Sequence, residues 1–315
     1  MIKTPSKTEL LLARKRLVNY IHQTPVFQST ALNDIAECKL FFKAENLQKM
    51  GAFKMRGAMH AALQLSPEEQ KKGIATHSSG NFAQAMALSA KLLGIPAWAV
   101  MPSNAPQVKK DAVASYGATI IECEPTLEAR ENTLQKVIIQ HGCTALHPYN
   151  ALDVIIGNST ATQELLEQID ILDFIVSPVG GGGLISGTAL ATHYFSSKTK
   201  VIGAEPKLAD DAYRSLQTGI IQAPLPPLTI ADGLRTALGN ITFHFIQNYV
   251  EEIQLAEEDE IIQAMRLIWE RMKIIVEPSS AITLAIVLKN KAYFKGKRVG
   301  LILSGGNVDL GKLPF

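Results

Sequence analysis

Short β-rich runs alternate along the chain with longer segments in which apolar residues recur at helical spacing. Seven runs read as strands: KLFFKAE (39–45), GIATHS (73–78), PAWAVMP (96–102), ATIIECE (118–124), DFIVSPVG (173–180), KVIGAEP (200–206) and RVGLILSGG (298–306). Between them the spacing predicts helices such as Phe82 to Leu93, Leu127 to Gln140 and Glu258 to Met272. This alternation implies an α/β fold, with mainly parallel sheet covered on both faces. The run from Gly73 to His147 packs three strand–helix units without a long linker. Its flanks, the charged SPEEQKKG (66–73) and the turn-rich HPYNALD that begins at His147, read as crossings between two lobes. The expected division is therefore a large domain, 1–70 with 149–315, and a small mobile one, 71–148. The opening MIKTPSKTELLLARKRL carries charges inside its apolar run and reads as an amphipathic helix.

Composition narrows the function classes. The 315 residues are 47% hydrophobic, enough for one large or two modest cores, and a disordered chain is excluded. Net charge is only +2, with both signs interleaved and no basic block, so nucleic acid is not an expected partner. Cys38, Cys123 and Cys143 are odd in number and far apart, and read as three buried, reduced thiols rather than a zinc or disulfide framework. With neither a signal peptide nor an 18-residue apolar span, a cytoplasmic location and no membrane partner are expected.

Four stretches carry chemistry. In MGAFKMRGA (50–58) a lysine, Lys54, stands among Phe53, Met55, Met50 and Ala52. Desolvation there lowers an amine's pKa, and a neutral amine attacks carbonyls, whereas the alternative is a snorkelling surface lysine. In SPVGGGGLISG (177–187) Gly180, Gly181, Gly182 and Gly183 join a strand to a helix start, an arrangement that converges backbone N–H groups on an anion. The spacing matches no common nucleotide signature, so a small cofactor's phosphate is the expected occupant. THSSGNFAQAMALSAK (76–91) sets Ser78, Ser79, Gly80 and Asn81 at a second strand end, either a helix cap or a carboxylate site. ILSGGNVDL (302–310) puts Ser304 after a strand, where a hydroxyl can meet a pyridine nitrogen without fixing a proton on it.

In this order GAFKMRGA, THSSGNFAQA, PVGGGGL and LSGGN resemble the fold type II pyridoxal-phosphate enzymes, specifically the serine/threonine dehydratase and serine racemase family. The likeness runs from TPVFQSTAL (24–32) through ADGLRTALG and WERMKIIVEPSSA to the C-terminus. It implies a tryptophan synthase β-like architecture of two domains, each with a mainly parallel twisted sheet flanked by helices. It also implies that Lys54 binds pyridoxal 5'-phosphate covalently, Phe53 stacks on its ring, Asn81 contacts the ring hydroxyl, Gly180 to Gly183 cradle the phosphate and Ser304 faces the ring nitrogen. Ser78, Ser79 and Gly80 would take the substrate carboxylate, with Arg130 reaching the substrate. GAEPKLADDAYRS (203–215) resembles the family's divalent-cation site, with Glu205, Asp211 and the Ala209 carbonyl as ligands for Mg²⁺ or Ca²⁺; the alternative is a solvated acidic helix start.

The activity so implied is elimination of water from a β-hydroxy amino acid by a homodimer, giving a 2-oxo acid and ammonia. Serine at position 79, where many dehydratases of the family have alanine, is similar to the racemases and hydroxyaspartate dehydratases, in which it donates a proton on the face opposite the lysine. Phe82 replaces the family's usual histidine. If it lines the pocket, it disfavours a β-carboxylate and favours a methyl or aryl group, so L-threonine and L-serine are the expected substrates. Alternatives are a serine or other amino-acid racemase, a threo-3-hydroxyaspartate or phenylserine dehydratase, and a cofactor-binding regulatory relative with little turnover. Asn158 and Ser159 stand where the family usually has Gln-Gly, in a segment near the cofactor in relatives.

Overall fold

The computed structural model describes residues 2–226 and 228–315. It contains ten strands: β1 (Val26–Phe27), β2 (Lys39–Ala44), β3 (Ile74–Thr76), β4 (Ala97–Pro102), β5 (Thr119–Cys123), β6 (Thr144–Ala145), β7 (Phe174–Pro178), β8 (Lys200–Pro206), β9 (Glu252–Ala256) and β10 (Arg298–Leu303). They form a six-stranded sheet in the order β1-β2-β10-β7-β8-β9 and a four-stranded sheet in the order β5-β4-β3-β6. All pairs are parallel except β1 with β2. This is the two-sheet α/β architecture expected from the alternation.

Central strands are buried along nearly their whole length because helices cover both faces. Leu40, Phe42, Val176, Leu301 and Leu303 pack on one side, against the Glu258–Met272 and Pro278–Lys289 helices; Phe41, Ile175 and Ile302 pack on the other, with Leu165 and Leu184. The alternation of neighbours between the two cores is the period-2 geometry of a strand. All seven strand runs and the three helices read from the pattern are present, with ends shifted by a few residues. Three strands were not legible. β1 and β6 are two residues long, and β9 (EIQLA) is a sheet edge mixed in polarity, so only pairing to a neighbour makes strands of them. Cys38 and Cys143 are buried, but Cys123 is partly exposed because β5 is also an edge.

The N-terminal helix Lys7–Leu17 buries Leu10, Ala13 and Leu17, one face at helical spacing. Among the described residues no helix is long and apolar enough to cross a membrane.

Two features set the frame of the site. First, the Lys54–Leu63, Leu152–Gln168 and Gly183–Phe195 helices cross backbone to backbone. A Cβ on Gly157 would lie 2.6 Å from the Arg56 carbonyl and 2.8 Å from the Gly57 Cα, and one on Gly187 would lie 2.7 Å from the Ile155 carbonyl. Second, a buried ion network ties the same region together. The Arg56 guanidinium donates to both oxygens of Glu45 (2.6 and 2.8 Å) and both of Glu164 (2.7 and 2.8 Å), and Lys43 Nζ donates to Glu164 at 2.7 Å. Two cations face two carboxylates with their hydrogen-bonding capacity used, the condition under which buried charges are tolerated.

Candidate functional site

Parallel strands leave a crevice beyond their carboxyl ends, where loops carry side chains that the sheet itself holds rigidly. In the six-stranded sheet β7 leads to Gly180–Gly183 and β10 to Ser304–Asn307, so two of the four chemical stretches meet there by topology; β3 of the other sheet leads to Ser78–Asn81, which Asn81 joins to them through Glu277 and Asn307. The fourth is tied on by hydrogen bonds. Phe53 N donates to the Ser304 carbonyl at 2.9 Å, Gly306 N donates to the Gly51 carbonyl at 2.9 Å, and Ala52 bridges Gly305. Met50 is held in the left-handed region (φ 55°), and its carbonyl accepts from Asn307 Nδ2 at 2.9 Å.

Lys54 is therefore the first residue of its helix, beside the end of β10. Its Nζ donates to the Pro148 carbonyl at 2.9 Å and lies 5.0 Å from the Phe53 ring centroid and 5.8 Å from that of Phe82. Burial pulls its pKa down to about 8, a shift that Glu277 partly opposes.

The glycine run is buried, and Gly182 has φ +86°, which only glycine adopts without strain. A Cβ on Gly181 would lie 2.5 Å from the Tyr149 ring. Among the described residues the N–H groups of Gly180 to Leu184 have no acceptor within the chain. Buried amides are almost always paired, so this group is an anion-shaped gap in the hydrogen bonding. Asn158 Nδ2 donates to the Gly183 carbonyl at 3.2 Å. Ser159 is turned away, its Oγ donating to the Ile156 carbonyl at 2.6 Å.

Ser304 is buried, with Oγ 3.1 Å from Ser280 Oγ. Ser280 donates to the Gly305 carbonyl (2.6 Å) and accepts from Gly305 N (2.7 Å), so in the serine pair Ser304 is the donor, and the Ser279 carbonyl stands 3.5 Å from its Oγ as a second acceptor. Asn81 Nδ2 lies 3.2 and 3.1 Å from the two oxygens of Glu277, and Asn81 Oδ1 accepts from Asn307 Nδ2 at 2.9 Å, so its carboxamide is oriented on both sides. Glu277 is buried and its pKa is pushed up to about 7, by desolvation first and then by Asp232. Its role was missed in the sequence. The cue was the one that flagged Lys54, a charged residue inside an apolar stretch, here IIVEPSSA.

A cluster of rings adjoins Lys54 from the segment read only as a crossing. His147 Nδ1 accepts from the N–H groups of Tyr149 (3.3 Å) and Asn150 (2.9 Å), which fixes the Nε2–H tautomer. Burial, then the charges of His77 and Lys54, lower the His147 pKa to about 4. The His77 and Tyr149 rings stand 6.0 and 4.6 Å from that of His147. Arg130 is close enough for its charge to act on His77 and Tyr149, and among the described residues its guanidinium has no hydrogen-bond or ion-pair partner. Phe82 is only 2% exposed and packs in the small-sheet core with Ala58 and Met86.

Glu205 and Asp211 lie at the end of β8 and the start of the next helix, both buried, with Ala209 between them. Glu205 accepts from Ala212 N (2.9 Å) and Tyr213 N (2.7 Å), and Asp211 Oδ2 accepts from Leu238 N at 3.3 Å. Burial raises both pKa values, that of Asp211 to about 6, and the charge of Asp211 raises that of Glu205 further. No cluster of three or more His, Cys, Asp or Glu side chains suited to a metal occurs among the described residues.

A partner-free amide cradle, a half-buried amine of low basicity beside an aromatic ring, and a buried hydroxyl whose proton is free to rotate match the three ends of a phosphorylated pyridine aldehyde. The chain agrees in sequence over residues 17–305 with the family described as pyridoxal-phosphate dependent enzyme. It is 50% identical over 311 residues to a β-hydroxyaspartate dehydratase of Paracoccus denitrificans (strain Pd 1222), covering 99% of both chains. Its structure is similar to that of serine racemase from Dictyostelium discoideum, with TM-score 0.93 and 49% identity over 96% of this chain and 98% of the other. It is also similar to that of the T.th. threonine deaminase, with TM-score 0.93 and 40% identity over 97% and 99%.

Proposed function

The chain belongs to the pyridoxal-phosphate dependent enzymes, of fold type II, and from that premise we propose an ammonia-lyase acting on 3-hydroxyaspartate and serine by elimination of the β-hydroxyl. The observation that carries the substrate class is Arg130, a cation whose charge reaches His77 and Tyr149 near Lys54 and that has no ion-pair partner among the described residues. An unpaired guanidinium near a buried site is a ready receptor for a carboxylate. Phe82, on which the expectation of threonine rested, lies near the amine, its ring centroid 5.8 Å from Lys54 Nζ, but its 2% exposure leaves little apolar surface for a methyl group, whereas Arg130 offers a charge to a second carboxylate. The dehydratase relative points the same way.

When bound, pyridoxal phosphate supplies an electron sink for negative charge at the substrate α-carbon. Gly180 to Gly183 hold its phosphate, Phe53 its ring face, Asn81 the ring oxygen and Ser304 the ring nitrogen. Ser78, Ser79 and Gly80 bind the α-carboxylate, and Arg130 binds the β-carboxylate. Lys54 Nζ removes the proton from the α-carbon, a task suited to an amine whose pKa stands at about 8. The β-hydroxyl takes up the proton that Lys54 Nζ has gained and leaves as water, and hydrolysis of the resulting enamine yields a 2-oxo acid and ammonia. Residues 71–148 close over the substrate. The Lys109–Asp232 ion pair, 2.6 Å long between the Gln107–Ser115 helix and the turn Asp232–Leu234, is a contact that such closure would use. Mg²⁺ or Ca²⁺ binds at Glu205, Asp211 and the Ala209 carbonyl, relieving two buried like charges.

Comparing kcat/KM for L-threo-3-hydroxyaspartate, L-serine and L-threonine tests the proposal. Hydroxyaspartate is expected to lead, and Arg130→Ala to lower its value about 100-fold while lowering that of serine far less. A lead for threonine, or equal losses on both acids, refutes the substrate assignment. Racemisation is the second reading, favoured by the Ser79 hydroxyl beside the carboxylate turn and by the serine racemase relative. Incubation of L-serine in D₂O that yields pyruvate and no α-deuterated D-serine rejects it.

A further inference from the structure

We propose that Asn158 is a positioning residue that sets the phosphate cradle and couples it to the helix carrying Lys54. Asn158 is fully buried on the Leu152–Gln168 helix, which passes between the Lys54–Leu63 and Gly183–Phe195 helices. Its Nδ2 donates to the Gly183 carbonyl at 3.2 Å, and its Oδ1 has no hydrogen-bond partner. That oxygen lies against Gly57, where a Cβ would come within 2.5 Å of it. One side chain therefore touches the last glycine of the run and the helix that presents the reactive amine, at the point where the helices cross with glycine backbones in contact.

The physical consequence follows from the planar peptide. The Gly183 carbonyl and the Leu184 N–H share one plane and point in opposite directions, so holding the carbonyl toward Asn158 aims the N–H away from it. Leu184 N–H is one of the buried amides without an acceptor in the chain. Glycine is the residue with most backbone freedom to lose, and four in a row form a cradle only if something outside the run restricts them. A buried hydrogen bond at the junction with the helix does so. Ser159 makes no such contact, since its Oγ is used within its own helix turn and by Gln163 at 3.0 Å.

This inference rests on the reading of Lys54 and the glycine run as the cofactor site. Its test separates the phosphate from the aldehyde by measuring dissociation constants for pyridoxal phosphate and for pyridoxal, which lacks the phosphate, in cofactor-free protein. Asn158→Leu removes the donor at similar size, and Asn158→Asp keeps the shape but replaces the donor with an acceptor, so one variant remains informative if the other does not fold. The expected result is a three- to tenfold weaker Kd for pyridoxal phosphate, roughly the worth of one neutral hydrogen bond. Pyridoxal affinity should change less than about twofold, and borohydride should still trap both aldehydes on Lys54. Equal losses for the two ligands, or no loss for either, overturn the proposal. If borohydride traps neither aldehyde on Lys54 in the unsubstituted protein, the underlying reading of the site is overturned as well.

Discussion

Replacing Glu277 by glutamine removes a buried charge without changing the shape that Asn81 and Asn307 contact, and its effect should depend on pH in one direction only. The Glu277 pKa stands at about 7 in the fold against an ordinary 4.5, because desolvation and Asp232 disfavour the ionised form more than the Asn81 and Asn307 donors favour it. A carboxyl raised in this way binds its proton more tightly folded than unfolded. The resulting stability is fully present below pH 4.5 and is lost as the pH rises through 7. At about 1.4 kcal/mol per pH unit over that interval the loss is roughly 3 kcal/mol. Glutamine does not titrate, so the variant keeps a flat contribution. Weaker hydrogen bonds to Asn81 and Asn307 lower its whole curve by about 1–3 kcal/mol without adding a slope. The melting temperature of cofactor-free Glu277→Gln should therefore gain on that of the natural protein by about 5 °C between pH 4.5 and 8, taking about 1.5–2 °C per kcal/mol for a chain of this size. Parallel melting curves across that range, or a gap that moves the other way, would refute the argument that burial governs this carboxyl.

Lys54→Arg keeps a cation but removes the amine that forms an imine, so borohydride should trap no cofactor on the chain and turnover should fall by about 10³ or more; retained trapping elsewhere would reassign the lysine. Arg56→Met strands Glu45 and Glu164 in the core. The expected cost is about 3–5 kcal/mol, read as a lowered denaturation midpoint, and a change under about 1 kcal/mol would mean that the network relaxes or hydrates. Calcium or magnesium in the millimolar range should raise the melting temperature, an effect that Glu205→Gln with Asp211→Asn abolishes. No difference between chelator and added cation would remove the metal from the site.

The alternation of apolar runs was enough to read an α/β fold with the central strands in place, because a strand buried on both faces must be apolar along its length whatever lies around it. Lys54, the glycine run, Ser78 to Asn81 and Ser304 stood out as candidates as well, since a charge, four small residues or hydroxyls in an apolar context are locally unusual. Glu277, His147, Tyr149 and the edge strands were not. For Glu277 the significance comes from the Asn81 carboxamide 196 positions away, and for the His147–Tyr149 segment from Lys54, whose amine donates to the Pro148 carbonyl 94 positions on. Phe82 was singled out from its place in the motif, but only the structure shows that its ring both packs in the small-sheet core and stands 5.8 Å from Lys54 Nζ. The sequence by itself thus decided which chemical groups are available and which runs must be buried. Only the tertiary structure decided which groups meet, because a pKa, a tautomer or an unpaired amide is a property of surroundings brought together by packing.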